Sequence, residues 1–416
     1  MPRVLEMAIR HAVTDRAVAV VVIPGDVALR EAGARPAPKP AGLLPARPIT
    51  VPAAPQIAQL AALLNDSGPS ITLLCGSGCA GAHARLLALA EALKAPIVHA
   101  LRGKEHVEWE NPYDVGMTGL IGFASGYRAM EASETLLMLG TDFPYRQFYP
   151  AKARIAQIDL RGEAIGRRVP VDLGVIGDVG ATLDALLPHI KPKADRSHLD
   201  AAVANYREAR KRLDELATGR PGGLLHPQHI ARVLSELAAE DAIFTCDVGL
   251  PTVWAARYLA MNGKRRLLGS FWHGSMANAM SQAIGAQAAY PSRQVISLSG
   301  DGGFTMLMGD LLSLKQLGLP AKIVVFNNGA LGFIELEQKS TGFINNGTEL
   351  DNPNFALMAE AVGIKGIRIE DPAEVEGKLA EALAHPGPVV VDAVVSRNEL
   401  AMPPKITAEM AKGFTL

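Results

Sequence analysis

Two stretches of this sequence carry residue types at spacings suited to phosphate and metal chemistry. They are Ser299-Gly300-Asp301-Gly302-Gly303 and Asn327-Asn328-Gly329. The first follows the apolar run 294–298, which reads as a buried strand, and precedes a helix expected to start near Phe304. Glycines let backbone approach a phosphate closely, and a helix start offers free N–H groups. Asp301 adds a hard oxygen. The second stretch closes the next strand, 322–326, so both are expected at the carboxyl edge of a parallel sheet, where ligands bind. An Asp and an Asn there, with a loop carbonyl and diphosphate oxygens, suit octahedral Mg²⁺. Taken singly, Gly-Asp-Gly reads as a turn and Asn-Asn as a strand terminator. Their combination in a strand–turn–helix context favours the binding reading.

A weaker signal lies upstream. Gly76, Gly78 and Gly81 spell G-x-G-x-x-G between a strand at 71–75 and a helix from 83, the local context of a dinucleotide fingerprint. The next strand, 96–100, ends without the acidic residue that would hold a nicotinamide ribose, which disfavours a NAD site. Cys75, Cys79 and Cys246 are too few and too scattered for a disulfide framework or a zinc cluster, and are expected as buried thiols in a reducing cytoplasm.

The elements that must position these residues follow from pattern and composition. At 416 residues the chain is long enough for about three domains of typical size. With 41 Lys plus Arg against 42 Asp plus Glu, the net charge of −1 excludes the basic surface that nucleic-acid binding requires. No apolar run reaches the length of a membrane span, and no signal peptide opens the chain. Residues 2–16 have helical periodicity, and the β-branched run Ala17–Ile23 reads as a strand, so 1–34 looks like the tail of a further domain. Seven prolines make 35–55 an extended linker. Residues 56–190 alternate helix and strand, with strands at 71–75, 96–99, 135–139 and 155–159. A charged helical stretch within 191–222 reads as a solvated bridge. Residues 223–416 repeat the alternation, with a helix at 227–239 and strands at 242–246, 294–298, 322–326 and 388–395. The fold class is therefore α/β, two three-layer domains with parallel sheets plus a helix–strand remnant of a third.

The pair Gly300-Asp301-Gly302 and Asn327-Asn328 resembles the diphosphate motif of thiamin-diphosphate enzymes. Cys246–Gly249, Trp254–Tyr258, His273–Met280 and Asn327–Phe333 resemble the quinone-linked pyruvate dehydrogenase (pyruvate oxidase) family, and the likeness extends over essentially the whole chain. The resemblance implies thiamin diphosphate and Mg²⁺, the metal held by Asp301, Asn328 and the carbonyl of Ala330. It implies that the N–H groups of Gly302 and Gly303 hold the diphosphate. Gly274, in the stretch with Ser275, would accept from the cofactor's exocyclic amine, and Met276 would be the wedge that bends it. It further implies FAD on the central domain, at Gly119-Leu120-Ile121-Gly122, at Asp142-Phe143-Pro144-Tyr145-Arg146, with Arg146 on a pyrophosphate, and at Asp159 on the adenosine portion. Phe333 would lie between thiamin and flavin, although a loop Phe is more often simple packing.

The implied reaction is oxidative decarboxylation of pyruvate to acetate and CO₂, with electrons passing through FAD to quinone. Alternatives are a non-oxidative thiamin enzyme, such as a decarboxylase or acetohydroxyacid synthase, and a cofactor-binding but inactive fragment. The last is raised because no residue of this chain matches the glutamate that activates thiamin, which the family carries on its pyrimidine-binding domain. That domain is expected to be truncated here, with a separate chain as the other explanation. Full-length quinone-linked relatives also continue into an amphipathic tail giving peripheral membrane contact, whereas this sequence ends at Ala411–Leu416. Self-association into a homo-oligomer is expected, its subunit number left open.

Overall fold

A computed structural model describes residues 2–31, 33, 46–219 and 222–399. The chain divides into two compact units, Met1–Val51 and Pro52–Leu416. In the first, helix α1 (Pro2–Asp15) forms as the periodicity predicts, followed by the short α2 (Gly25–Ala28). The strand expected at 17–23 does not form. Val18, Val20 and Val22 are exposed, and no partner strand for this run exists among the described residues, so its N–H and C=O groups have no ladder to join. Most of the proline-rich linker (34–45) and the C-terminal stretch 411–416 lie outside the described residues.

The second unit contains two six-stranded parallel sheets. The first is built from β1 (Ile71–Cys75), β2 (Ile97–His99), β3 (Asp114–Met117), β4 (Thr135–Leu139), β5 (Arg154–Asp159) and β6 (Leu173–Ile176), in the order β3-β2-β1-β4-β5-β6. Its inner strands β1, β2, β4 and β5 are buried on both faces apart from Arg154. Leu73, Leu137 and Ile158 point to one face, with α3 (Ala54–Asp66), α4 (His83–Leu93) and α7 (Val179–Leu186). Leu74, Leu136 and Met138 point to the other, with α6 (Ala124–Glu131). A one-turn helix, α5 (Lys104–Val107), follows β2. Helix α8 (Ser197–Leu216) is not a free bridge: Leu199 and Ala202 are buried, His198 Nε2 pairs with Thr72 Oγ1 at 2.9 Å, and Tyr206 packs on Phe123.

The second sheet comprises β7 (Ile243–Cys246), β8 (Arg266–Gly269), β9 (Val295–Gly300), β10 (Lys322–Asn327), β11 (Lys365–Ile369) and β12 (Val389–Val394), in the order β11-β12-β10-β9-β7-β8. Phe244, Leu298, Val324 and Val391 face α9 (Pro227–Leu237), α10 (Leu250–Tyr258) and α16 (Val375–Ala384). Ile243, Val295, Ile323 and Val390 face α11 (Ala279–Ala289), α13 (Leu311–Leu317) and α15 (Phe355–Ala361). Two further helices, α12 (Asp301–Met306) and α14 (Gly332–Ser340), start directly after β9 and a few residues after β10. Helix α12 begins at Asp301 rather than near Phe304, which places the carboxylate in its first turn.

The first sheet reverses its winding between β1 and β4, and the second between β7 and β9, with a further step back from β11 to β12, which lies between β11 and β10. Such switch points open a crevice beyond the carboxyl ends of the two strands. All three cysteines are buried free thiols, as expected.

Candidate active site

The β7/β9 switch point is occupied by a cavity of about 370 Å³. Asp247 and Gly249 line it after β7, Gly300–Gly303 after β9, Asn328 and Ala330–Phe333 after β10, and Gly274 and Met276 after β8. Asp301 is 2% exposed. Its Oδ1 accepts from Gly302 N at 2.8 Å, and its Oδ2 accepts from Asn328 N at 3.1 Å and Gly329 N at 2.8 Å. Burial raises its pKa, and these donors pull in the opposite direction.

The Asn328 amide supplies a test of cation fit. One of its terminal atoms lies 2.9 Å from the Ala330 carbonyl oxygen and 3.2 Å from Asp301 Oδ2. With nitrogen turned that way, the amide donates to both; with oxygen turned that way, three oxygens converge. With Mg–O bonds of about 2.1 Å, neighbouring oxygens of an octahedron sit about 3 Å apart. Both separations therefore match adjacent positions of one hard-cation shell. No cluster of three His, Cys, Asp or Glu side chains suited to a metal occurs among the described residues.

Comparison with known proteins agrees with this geometry. Residues 247–393 match the family model described as "Thiamine pyrophosphate enzyme, C-terminal TPP binding domain", and residues 57–186 match "Thiamine pyrophosphate enzyme, central domain". "Putative thiamine pyrophosphate-containing protein YdaP" of Bacillus subtilis is 36% identical over 100% of this chain and 71% of its own length. The chain belongs to the thiamine pyrophosphate enzymes. An acetolactate synthase large subunit of Corynebacterium glutamicum is 30% identical over 97% of this chain and 67% of its own length. Pyruvate oxidase of Lactiplantibacillus plantarum is 29% identical over 95% and 66%. The chain thus spans about two thirds of the length of these relatives.

Within this thiamine pyrophosphate enzyme, the sequence-predicted residues are only partly brought together. Gly274, with φ +66°, Met276, Asp301, Gly302, Gly303, Asn328, Ala330 and Phe333 all line the cavity. Ser275 does not; its carbonyl is turned to Val248 N and the Asn278 amide. Gly302 N is engaged by Asp301 Oδ1, so its expected role toward a diphosphate requires that bond to exchange.

Asp247 is a site residue that sequence reasoning gave no role. It is 3% exposed, accepts from Ala279 N at 2.9 Å and Gly300 N at 3.2 Å, and burial pushes its pKa up to about 6. It thereby ties the Gly274–Met276 loop to the Asp301 turn. A Cβ on Gly303 would stand 2.4 Å from Asp247 Oδ2, which accounts for glycine there. In the same loop Ala277 is held at φ +62°, a strained conformation for a residue with a side chain.

A second cavity, of about 430 Å³, lies at the β1/β4 switch point. Of the residues that the resemblance implied for FAD, Leu120, Ile121, Asp142, Phe143, Pro144, Tyr145 and Asp159 line it. Gly119, Gly122 and Arg146 do not. Gly119 packs on the Phe143 ring at φ +104°, Gly122 gives its carbonyl to Arg257, and Arg146 is exposed in a turn outside the lining. Gly76 and Gly78 serve backbone packing: a Cβ on either would meet Gly140 at 2.5 or 2.6 Å, and Gly78 N is bonded to Gly140 O. Gly76 also borders the second cavity, and Gly81 has no atom near the position a Cβ would take.

The cations of this second cavity come from positions that no local motif marks. Arg168 and Arg167 pair with Asp142 at 2.9 Å. Arg102 and Arg161 each set a guanidinium over Trp272, at 5.2 and 5.3 Å from the ring centre. Arg102 has no carboxylate partner within ion-pair distance among the described residues. Val248, Gly249, Gly274, Phe333 and Glu337 line both cavities. Phe333 and Glu337 lie one turn apart on α14 and so present a common face.

Proposed function

We propose that the chain carries out the cofactor-binding half of an oxidative decarboxylation of pyruvate to acetate and CO₂, with thiamin diphosphate and Mg²⁺ in the first cavity, FAD in the second, and a quinone as final acceptor. The observation that carries this reading is the shared wall: two ligand-sized cavities at two switch points meet at Gly274, Phe333 and Glu337.

Asp301, Asn328 and the Ala330 carbonyl would hold the cation, and Gly303 N the diphosphate. Met276 would support the bend of the cofactor and Gly274 its amine. Thiamin diphosphate, once bound, supplies the nucleophilic carbon that takes up a 2-keto acid and the electron sink for its decarboxylation. Arg102 and Arg161 supply positive charge for a dinucleotide's diphosphate, and Trp272 a stacking surface. Phe333 excludes water between the cavities. The activating glutamate is assigned to a pyrimidine-binding domain on another chain or in a longer form of this one, and assembly into homo-oligomers in the cytoplasm, with peripheral membrane contact in full-length forms, belongs to the same reading. No helix among the described residues is long and apolar enough to cross a membrane.

The similar identity to an acetolactate synthase favours a second reading, in which FAD is structural and pyruvate is not oxidised. The absorption spectrum of the purified protein, followed by anaerobic pyruvate in the presence of thiamin diphosphate, Mg²⁺ and a pyrimidine-binding domain, separates the two. Stoichiometric flavin bleaching is expected from the oxidase. A flavin that stays oxidised while pyruvate is consumed supports the synthase, and a protein that never retains flavin overturns the FAD assignment.

A further inference from the structure

The first asparagine of the Asn327-Asn328 pair is not placed as a cation ligand, and its side chain points elsewhere. Asn327 is 7% exposed; its Nδ2 donates to Asp392 Oδ1 at 2.9 Å. Asp392, wholly buried on β12, also accepts from Phe355 N at 3.1 Å and from Arg368 Nη1 on β11. On its other side Asn327 Oδ1 accepts from Asn352 Nδ2 at 2.9 Å, and the same Nδ2 donates to Asp301 Oδ2 at 2.8 Å. A continuous chain of hydrogen bonds thus runs from Arg368 through Asp392, Asn327 and Asn352 to the carboxylate of the first cavity.

Asn352 reaches that position because its segment is pinned. Leu331 N donates to Thr348 O at 2.8 Å and Leu350 N to Gly329 O at 3.0 Å, so 348–350 lies antiparallel against the loop that bears Asn328 and Ala330. A primary amide nitrogen carries two hydrogens, and here one serves each acceptor. Neither aspartate nor a hydroxyl offers that pair of donors from one atom.

We propose that Asn352 is a positioning residue for the cation site: its amide, locked by Asn327 and Asp392, fixes the rotation of the Asp301 carboxylate and so sets the affinity for the divalent cation. This rests on the reading of Asp301 as a cation ligand. Outer partners of metal-binding carboxylates orient the ligand, and their loss weakens binding roughly 10- to 100-fold.

The test uses Mn²⁺ titrated into the full chain with thiamin diphosphate present, read by the electron paramagnetic resonance of the bound ion. Asn352→Ala, and Asn352→Leu as the variant that keeps the branched side-chain shape, are expected to weaken Mn²⁺ binding about 10- to 100-fold and to alter the bound-ion spectrum. Asn354→Ala is the control. Asn354 Oδ1 caps α15 by accepting from Leu357 N at 3.0 Å, so its loss lowers the melting temperature and leaves affinity and spectrum unchanged. Parental affinity and spectrum in both Asn352 variants overturn the proposal, as does an equal loss in Asn354→Ala, which would assign the effect to the loop as a whole. If Asp301→Ala keeps parental Mn²⁺ binding, the cation-ligand reading itself fails.

Discussion

Gly303 and Asp247 are matched to each other at the scale of single atoms. Adding a methyl at Gly303 puts it against Asp247 Oδ2, at 2.4 Å. Gly303→Ala is expected to cost about 1–3 kcal/mol through overpacking. Asp247→Ala strips the acceptor from two backbone N–H groups and is expected to cost about 1–3 kcal/mol as well. In the double variant the methyl finds the space the carboxylate left, so the two costs should not add. Denaturant midpoints of the four proteins decide this, and strictly additive losses would show that the two residues do not press on each other. Asp301→Asn should weaken thiamin diphosphate and Mg²⁺ binding far more than it lowers the melting temperature; unchanged affinity by calorimetry would remove Asp301 from the site. Asp301 and Asn328 were legible in sequence because each closes a strand and glycines flank it. Asp247 and Asn352 were not, because their side-chain partners lie 25 or more residues away along the chain. Arg102 and Arg161 likewise acquire meaning only from Trp272, on a loop of the other sheet.

At the scale of elements, eight of the nine strands read from sequence are the inner ones, the ninth (17–23) does not form, and the four that were missed, β3, β6, β8 and β11, are the edges of the two sheets. An inner strand is covered on both faces and spells an unbroken apolar run, whereas an edge strand is short and diluted by glycine or charge. Asp-Val-Gly-Met and Lys-Gly-Ile-Arg-Ile illustrate the point. The short helix α5 shows what such an edge is used for. Glu105 accepts from Leu267 N and Arg266 Nε on β8, both at 3.0 Å, and Glu108 accepts from Met261 N at 3.1 Å. One turn of helix after the first sheet's β2 therefore grips the edge of the second sheet. Glu105→Ala should lower the thermal midpoint, with a cost of about 1–2 kcal/mol. A midpoint equal to the parent's in calorimetry would mean that this grip contributes nothing.

For the molecule as a whole, the pH dependence of stability follows from a buried polar group in the first sheet. Asp114 is 6% exposed and faces Glu108, Lys104, Tyr206 and His99, the last at 3.7 Å. Burial, reinforced by Glu108, pushes its pKa up to about 8, while burial pushes that of His99 down to about 4. A carboxyl whose folded pKa lies above the unfolded 3.8 contributes stability that is full below that pH and is lost as pH rises toward 8. A histidine whose folded pKa lies below 6.5 acts on the other side, its contribution lost as pH falls toward 4. Asp114→Asn removes the first of these terms. Its melting temperature, relative to the parent's, should therefore climb between pH 5 and pH 8, by about 2–4 °C for each kcal/mol recovered. A difference that stays flat across that range would show that Asp114 ionises freely in the fold.

The wall common to the two cavities bears on how such a molecule can be refitted. Val248, Gly249, Gly274, Phe333 and Glu337 each answer to two chambers at once. A replacement there must suit both occupants, so it has few acceptable solutions. Asp159 and Arg161 border only the second chamber, and Leu331 and Ser396 only the first. A designer seeking a different occupant on one side has freedom at these outer rims and almost none at the partition.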